Sequence, residues 1–564
     1  MSNRRLVTIL SVVLILSFFI GSCTNQATPV ASTPVVEVRE VEVTRMVAGT
    51  PQVEIMLVTS TPVPIGGDTL TFAISLDPET LDSALTISET AQWVISEFLL
   101  ESLVYHDKDG TVKGQLAESW EIAPDNLEIT FHLRKGIKFH DGTDFNADAV
   151  KFNFDRIMDP ATASPCLPYI PTLKQVDVVD NYTVKFTFSK PDASFWVNMT
   201  SFPYFWINSP TAVKAAGADY GRDPVGTGPF MFDSWIPGSQ LTFVKYPDYQ
   251  QWRNDAINKG PALADQVVLY VIPEAGTAQA ALKTGEILAS NLSADTLPVF
   301  VGDPDFIISI NKQTNSLQFL DFNNSKPPFD DVNFRKAISY AIDRNTIVKN
   351  SRGGYSYEML GMLPPGIPTY DASVGEEYGL PYDPDKAKEL LTQLGWVAGS
   401  DGILVKDGIR ASWVIKSYSG FNYIIRSLEV VQQNLKDIGI ETTIELSDWS
   451  ALYPSLLEDS LDMDMMRWSE YDAVMMNALW RSPGYRGHMP VDPELDKLLD
   501  DLQTAMDPYK RAEISSQAQQ MLLEKMVVVP IQSNWVISVL RSNVQDYHLD
   551  FWGYPLMADV WLSK

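Results

Sequence analysis

Apolar and polar residues alternate over short stretches in the first part of the folded chain, and turn residues separate those stretches. TLTFAIS at 69–75 predicts a strand, and Leu76-Asp77-Pro78 turns it out of the sheet. Residues 89–103 read as a helix with its apolar side chains gathered on one side. LEITFHL at 127–133 alternates and predicts another strand, while Lys135-Gly136 and Asp141-Gly142 supply turns around IKFH. Asn146 can cap a helix on which Val150, Phe154 and Ile157 share a face, and Pro160 ends it. With strands at 175–179 and 183–188 this is a strand-rich region built around one helix. Gly226-Thr227-Gly228-Pro229 then leads into FMFDSW and LTFVKY, a loop entering a hairpin, so a small inserted domain is expected to close near residue 224.

The period changes after Phe319-Leu320-Asp321-Phe322. Ala337, Ile338, Ala341 and Ile342 mark a helix, and Asp383-Pro384 opens another on which Ala387, Leu390, Leu391 and Leu394 form one face before Gly395. A strand at 413–416, a helix at 427–438 carrying Leu428, Val431, Leu435 and Ile438, and a strand at 440–446 make a βαβ unit. Asp507-Pro508 starts a further long helix, and 526–531 reads as a strand. The pattern is α/β. The expected organisation is a first-lobe segment at 67–107, the small inserted domain at 108–224, first-lobe chain again at 225–318, a second lobe at 319–529 and a C-terminal first-lobe return at 530–564.

The first 22 residues have a different character. Arg4 and Arg5 precede the uncharged run LVTILSVVLILSFFI at 6–20, and Ile20-Gly21-Ser22-Cys23 follows. Fifteen helical residues reach roughly 22 Å, short for a hydrocarbon core of about 30 Å. A basic start, a short apolar run and small residues make an export signal. The whole segment resembles a bacterial lipoprotein signal, which implies cleavage before Cys23 and lipid on its sulfur. Residues 23–66 are then a lipid-anchored linker, an extended tether punctuated by Pro29, Pro34, Pro51, Pro62 and Pro64. Alternating Val and Glu from 36 to 43 leaves a β arm as the other reading of part of it.

Length and charge narrow the function. The chain has 564 residues, 45% of them apolar, enough for two substantial cores. A net charge of −28 opposes nucleic-acid phosphates, and two cysteines exclude a disulfide framework. The five histidines form no H-E-x-x-H, no C-x-x-C is present, and the Gly-Lys dipeptide of a P-loop and the G-x-S-x-G elbow are both missing. His132 and His140 flank one turn, and Cys166 sits in SPCLP without a neighbouring His. No catalytic site, metal site or cofactor is expected.

Four ordered stretches carry a family resemblance. They are GQLAESW at 114–120 running on to FHLRKGIKFHDGTDFNADAVKFNFDRI at 131–157, VGTGPF at 225–230, FNNSKPPFDDVNFRKAISYAIDR at 322–344 and PYDPDKAKELLTQLGW at 381–396. Across about 67–564 the chain resembles the extracytoplasmic solute-binding proteins, family 5, that serve peptide, nickel and related ABC importers. The resemblance implies a two-lobed periplasmic-binding-protein-like α/β fold with hinge closure and a small inserted domain. It also implies a lipid-anchored monomer on the extracytoplasmic face of the plasma membrane, the periplasmic side where there are two membranes. Its partners would be a small solute and ABC permease subunits with their cytoplasmic ATPases; no bond would be broken. Phe131, Phe139, Val150 and Phe154 are assigned to the small-domain core, and Gly226 and Gly228 to a tight connection.

Ligand candidates lie outside the family phrases. They are Trp93, then Tyr418 and Asn422 between strand and helix, Arg467, Trp468, Glu470, Tyr471 and Asp472 in RWSEYD, and Trp480, Arg481 and Tyr485 beyond it. Peptide-binding members of the family place an aspartate three residues after the tryptophan and an Asp-Pro pair soon afterwards. Tyr471 stands at that position here, Asp472 follows one residue late, and no Asp-Pro is near. Glu470, Asp472 or both are expected to meet a peptide ammonium beside Trp468 and Tyr471, and Arg467 or Arg481 either a peptide carboxylate or the neighbouring acids. Peptide is the first expectation. An oligosaccharide stacked on Trp and Tyr, or a metal chelate, stays open as cargo, and an extracytoplasmic hydrolase or a non-transport scaffold as function.

Overall fold

The computed structural model describes residues 68–563 except 202, 459, 470 and 483–487, with the side chains of 449 and 450 also left aside. It also describes the backbone of two strands near the amino terminus, Val38–Val47 and Thr50–Thr59. These two pair antiparallel from Val38 opposite Thr59 to Val47 opposite Thr50, so part of the expected tether is a hairpin. The alternation of β-branched and charged residues suits a pleated ribbon, and it prevails over Pro51, which lies in the second strand opposite Met46. Residues 63–564 are a separate compact unit.

That unit contains two mixed sheets. The first has seven strands in the order Phe230–Ile236, Gln240–Lys245, Gln266–Val271, Thr69–Ile74, Ala289–Asn291, Val536–Arg541 and Phe306–Asn311. The second has six: Ser356–Glu358, Val528–Asn534, Ser316–Phe322, Met463–Ser469, Ser412–Tyr418 and Glu441–Ser447. The fold is the two-lobed α/β architecture expected. In the second lobe, strands Ser412–Tyr418 and Glu441–Ser447 run parallel, joined by helix Asn422–Asp437. Parallel neighbours need such a crossover, and the helix covers the sheet with Ile424, Leu428, Val431 and Leu435. It begins five residues earlier than its apolar stripe suggests, so Tyr418 ends the strand and Asn422 opens the helix.

A third sheet, Ala117–Ile122, Glu128–Leu133, Thr183–Phe188 and Leu173–Asp180, underlies helix Ala147–Met158. Asn146 caps that helix by accepting from the Ala149 amide, and Val150, Phe154 and Ile157 enter a core with Phe131, Phe139 and Phe186. The Gly226–Gly228 connection passes tightly over the end of the Glu89 helix. A Cβ on Gly226 would lie 2.1 Å from the Leu99 carbonyl oxygen, and one on Gly228 2.7 Å from the Leu99 carbonyl carbon. His140 clips the same loop. The Gly226 amide donates to its Nδ1, so Nε2 carries the proton and donates to the Gly228 carbonyl, at 3.3 and 2.9 Å. Burial first, opposed by the Gly228 contact, holds this imidazole down to about 4.

The chain crosses between the two large sheets twice, through residues 312–315 and at Trp535. The second crossing comes later than the return expected at 530, because all of Val528–Asn534 is buried in the second sheet. Pro530, inside the strand expected over 526–531, sits where the register slips between Gln318 and Phe319, so that Phe319 faces Pro530 and Gln318 faces Gln532.

The loop contact gives a direct test. Gly226→Ala forces a methyl group into backbone that cannot yield, and should cost about 1–3 kcal/mol of stability in denaturant unfolding. A variant as stable as the parent would contradict the close approach.

Candidate ligand-binding site

The two crossings lie side by side. Lys312 Nζ sits 4.5 Å over the Trp535 ring, and Thr314 and Ser533 share a hydroxyl hydrogen bond. Arg352, in the last turn of helix Arg344–Arg352, donates to the Trp535 carbonyl at 3.0 Å. These contacts fix the hinge edge, and the lobes face one another beyond it.

Several groups meet across that face. The first lobe contributes Glu89, at the start of helix Glu89–Val94, and Asp295. The second contributes Arg467, Tyr418, Tyr423 and Arg426. Arg467 Nη2 donates to Glu89 Oε1 at 2.9 Å, and its backbone amide donates to the Tyr418 hydroxyl at 3.3 Å. Arg426 grips Asp295 with both terminal nitrogens, Nη1 to Oδ1 at 2.9 Å. Burial works against the Arg467 charge, but Glu89 and the Tyr423 and Tyr418 hydroxyls outweigh it, so its pKa is raised. Burial raises the Tyr418 phenol, helped by Tyr423, and Arg467 only partly offsets the shift.

The sequence candidates separate into three groups. Trp93, partly buried, packs edge-to-face on Phe98 at 5.5 Å and belongs to the rim of the first-lobe core. Tyr418 and Arg467 stand on the interlobe face; Trp468 is partly buried against the second-lobe core, and Asn422 is exposed. The others turn elsewhere. Tyr471 is 9% exposed, hydrogen-bonded to the Tyr554 hydroxyl at 2.6 Å and edge-on to Trp552 at 4.8 Å. Asp472 is 1% exposed, caps the Val474 amide and pairs with buried Arg511, so its charge is already taken within the fold. The expected ammonium contact from Asp472 is therefore not supported: a carboxylate held this way serves packing. Trp480 lies in the core against Phe319 at 5.6 Å, and Arg481 forms a two-point pair with Asp500 at 2.8 and 2.9 Å. Neither stands with Arg467. Glu470, Tyr485 and Cys23 lie outside the described residues.

Sequence reasoning missed Glu89, Asp295, Arg352, Tyr423 and Arg426. Glu89 and Arg352 each read as the charge a helix end prefers, acidic at the start and basic before Gly353. The Asp295–Arg426 pair spans 131 positions, and nothing local marks it.

Behind Tyr554, the first lobe holds a polar cavity of about 40 Å³ lined by Glu97, Glu101, Gln115, Arg253 and Asp550 among others. That is room for a few waters. A wider, π-type turn over Ile95–Leu99 interrupts the expected long helix there. Arg253 is committed to Asp255 and Asp550. Burial raises Glu97 well above the carboxylate range, reinforced by Asp550, and raises Glu101 to about 7 against hydrogen bonds from Gln115 and Tyr249. Among the described residues no group of three His, Cys, Asp or Glu side chains is placed to hold a metal ion.

Residues 111–487 match the bacterial extracellular solute-binding proteins, family 5, over the middle region of that family. The chain belongs to this family. It is accordingly an extracytoplasmic solute-binding protein, related to the binding proteins of ABC importers, and it binds rather than catalyses. Heme-binding protein A of Haemophilus influenzae is 29% identical over 525 residues, covering 87% of this chain and 92% of that protein. Di/tripeptide-binding protein 1 of Pseudomonas aeruginosa is 27% identical over 537 residues, 88% of this chain and 94% of the relative. Among solved structures, the ABC transporter-associated periplasmic binding protein DppA from Helicobacter pylori, in complex with peptide STSA, has a TM-score of 0.72 and 26% identity, covering 88% of this chain and 98% of that one. This solute-binding chain thus has the family's two lobes facing across aromatic and charged side chains.

The buried acids predict a pH dependence. An unfolded glutamate loses its proton near 4.5, whereas folded Glu101 holds it to about 7, so the folded state binds more protons in that window and stability falls as pH rises through it. Glu101→Gln should remove about 3 kcal/mol of that fall, read from denaturant unfolding across the window. An unchanged pH profile would contradict the assignment.

Proposed function

We propose that this chain captures short peptides outside the cell and delivers them to the permease of an ABC importer, tethered to the plasma membrane by lipid on Cys23. One observation carries the peptide reading: the alignment with a di/tripeptide-binding protein runs over nearly the whole of both chains. The interlobe face supports it. A peptide brings two opposite charges, amide dipoles and side chains of varied size, and the facing lobes offer Arg467 and Glu89 of opposite sign beside the Tyr418 and Tyr423 rings. Lobe closure about the two crossings would bury such a ligand and present a shape that the permease distinguishes from the open form. The departure of Tyr471 from the family's aspartate position fits an amine site built differently from that of other peptide binders. Glu470 remains a candidate for it, with Trp468 as a neighbouring surface.

Native mass spectrometry of protein purified from a bacterial host should show copurifying ligands in the mass range of short peptides, released on denaturation and sequenced by fragmentation. Heme or a sugar as the sole released species would overturn the peptide assignment. The same protein should begin at Cys23 with added lipid mass, read by intact-mass analysis of the membrane fraction. Recovery of an unmodified Met1 terminus from the membrane would refute the anchor.

A further inference from the structure

The contacts that join the lobes beyond the hinge edge differ in how far water reaches them. In the pair of Arg467 with Glu89 the carboxylate side chain is 73% exposed, and in that of Arg426 with Asp295 it is 47% exposed. Ion pairs so open to water contribute little, and salt weakens them further. Tyr471 is different: it is buried, and what covers its ring comes from the other lobe.

Tyr471 belongs to the second lobe by its chain and to the first by its packing. Strand Met463–Ser469 precedes it in the second sheet, Ala473 and Met475 lie in the second-lobe core, and Asp472 ties its base to Arg511 of helix Pro508–Glu524. Yet its side chain joins the core around Phe131, Phe139 and Phe186, and among the described residues no other side chain of the second lobe does so. The loop that receives it, residues 550–554, is held stiffly. Asp550 Oδ1 accepts the Trp552 and Tyr554 amides, both at 2.9 Å, and its Oδ2 accepts from Arg253 at 3.1 Å. Phe551 stacks on His106 at 5.2 Å, and Trp552 meets the same imidazole edge-on at 4.9 Å. Gly553 has φ +86°, and a Cβ there would lie 2.0 Å from Asn311 Nδ2, so the loop also rests on the last residue before the first crossing. Tyr471 thus enters a preformed socket, with the Trp552 ring at 4.8 Å and the Tyr554 hydroxyl at 2.6 Å.

We propose that Tyr471 is a closing knob: seated between Trp552 and Tyr554, it holds the lobes together by contacts the chain makes with itself, and so sets the balance between open and closed forms. The inference rests on the lobe closure described above and on no particular cargo. Ring burial and edge-on packing act without charge, so this balance survives salt that screens the ion pairs. A solute that binds the closed form alone meets a protein already partly closed, and its affinity scales with that closed fraction. Asp550 and Arg253 are positioning residues, acting through the loop they hold.

Double electron–electron resonance between spin labels, one on a cysteine introduced at an exposed position of each lobe, reads the interlobe distance. In protein freed of solute by unfolding and refolding, the parent should show a short-distance population that persists in about 1 M sodium chloride. Tyr471→Ala should lower the closed-to-open ratio roughly tenfold or more, since truncating a buried tyrosine is among the costliest changes at an interface. Tyr471→Phe, which keeps the ring and removes the hydroxyl, should lower it by less. The salt series needs no substitution at the socket, so it stands even if Tyr471→Ala fails to fold. Loss of the short distance in salt, or an unchanged ratio in Tyr471→Ala, would overturn the knob while leaving closure on a solute intact. A single distance in the parent, the variants and added peptide alike would overturn both.

Discussion

Two short passages of backbone, residues 312–315 and Trp535, join the large sheets, and the rest of the architecture depends on how they are held. A crossing this short cannot bend freely, so relative movement of the lobes must be absorbed by rotation of a few backbone dihedrals at these points. Lys312 over the Trp535 ring and Arg352 on the Trp535 carbonyl tie the crossings to each other and to the second lobe. Everything that meets across the lobes does so because this edge brings it there: Glu89 with Arg467, Asp295 with Arg426, and Tyr471 with Tyr554.

Charge is handled differently in the first-lobe cavity and at the interlobe face. In the first-lobe cavity, Arg253 is shared between Asp255 and Asp550, and Glu97 and Glu101 are left to retain protons. Neutralisation by a proton costs nothing in specificity and fits a wall whose task is packing. At the interlobe face charge is carried by guanidiniums, which cannot be neutralised in that way.

Much of the fold was legible because its signals are local. The face of Val150, Phe154 and Ile157, the Asn146 cap, the Asp383-Pro384 and Asp507-Pro508 helix starts and the βαβ unit around Leu428 and Val431 each depend on residues within a few turns of one another. The errors came where tertiary packing overrode a local signal. The strand read over 526–531 runs on to Asn534, past a bulge against Gln318 and Phe319. The long helix from Glu89 passes into a π-type turn where Phe98 packs between Phe230 and Phe243.

Sequence alone determined the class of molecule: an α/β chain with two lobes and the ordered phrases of a solute-binding family. It also pointed to Tyr418 and Arg467 as candidates, because aromatic and charged side chains next to a strand end are visible without coordinates. It did not separate Arg467 from Asp472, Trp480 and Arg481, which share its composition and neighbourhood. Tertiary partners separate them, and most lie far along the chain: Arg511 for Asp472, Phe319 for Trp480, Asp500 for Arg481, and Glu89, 378 positions away, for Arg467. Only the tertiary structure seats Tyr471 against Trp552 and Tyr554, because packing is settled in space and the sequence records only order.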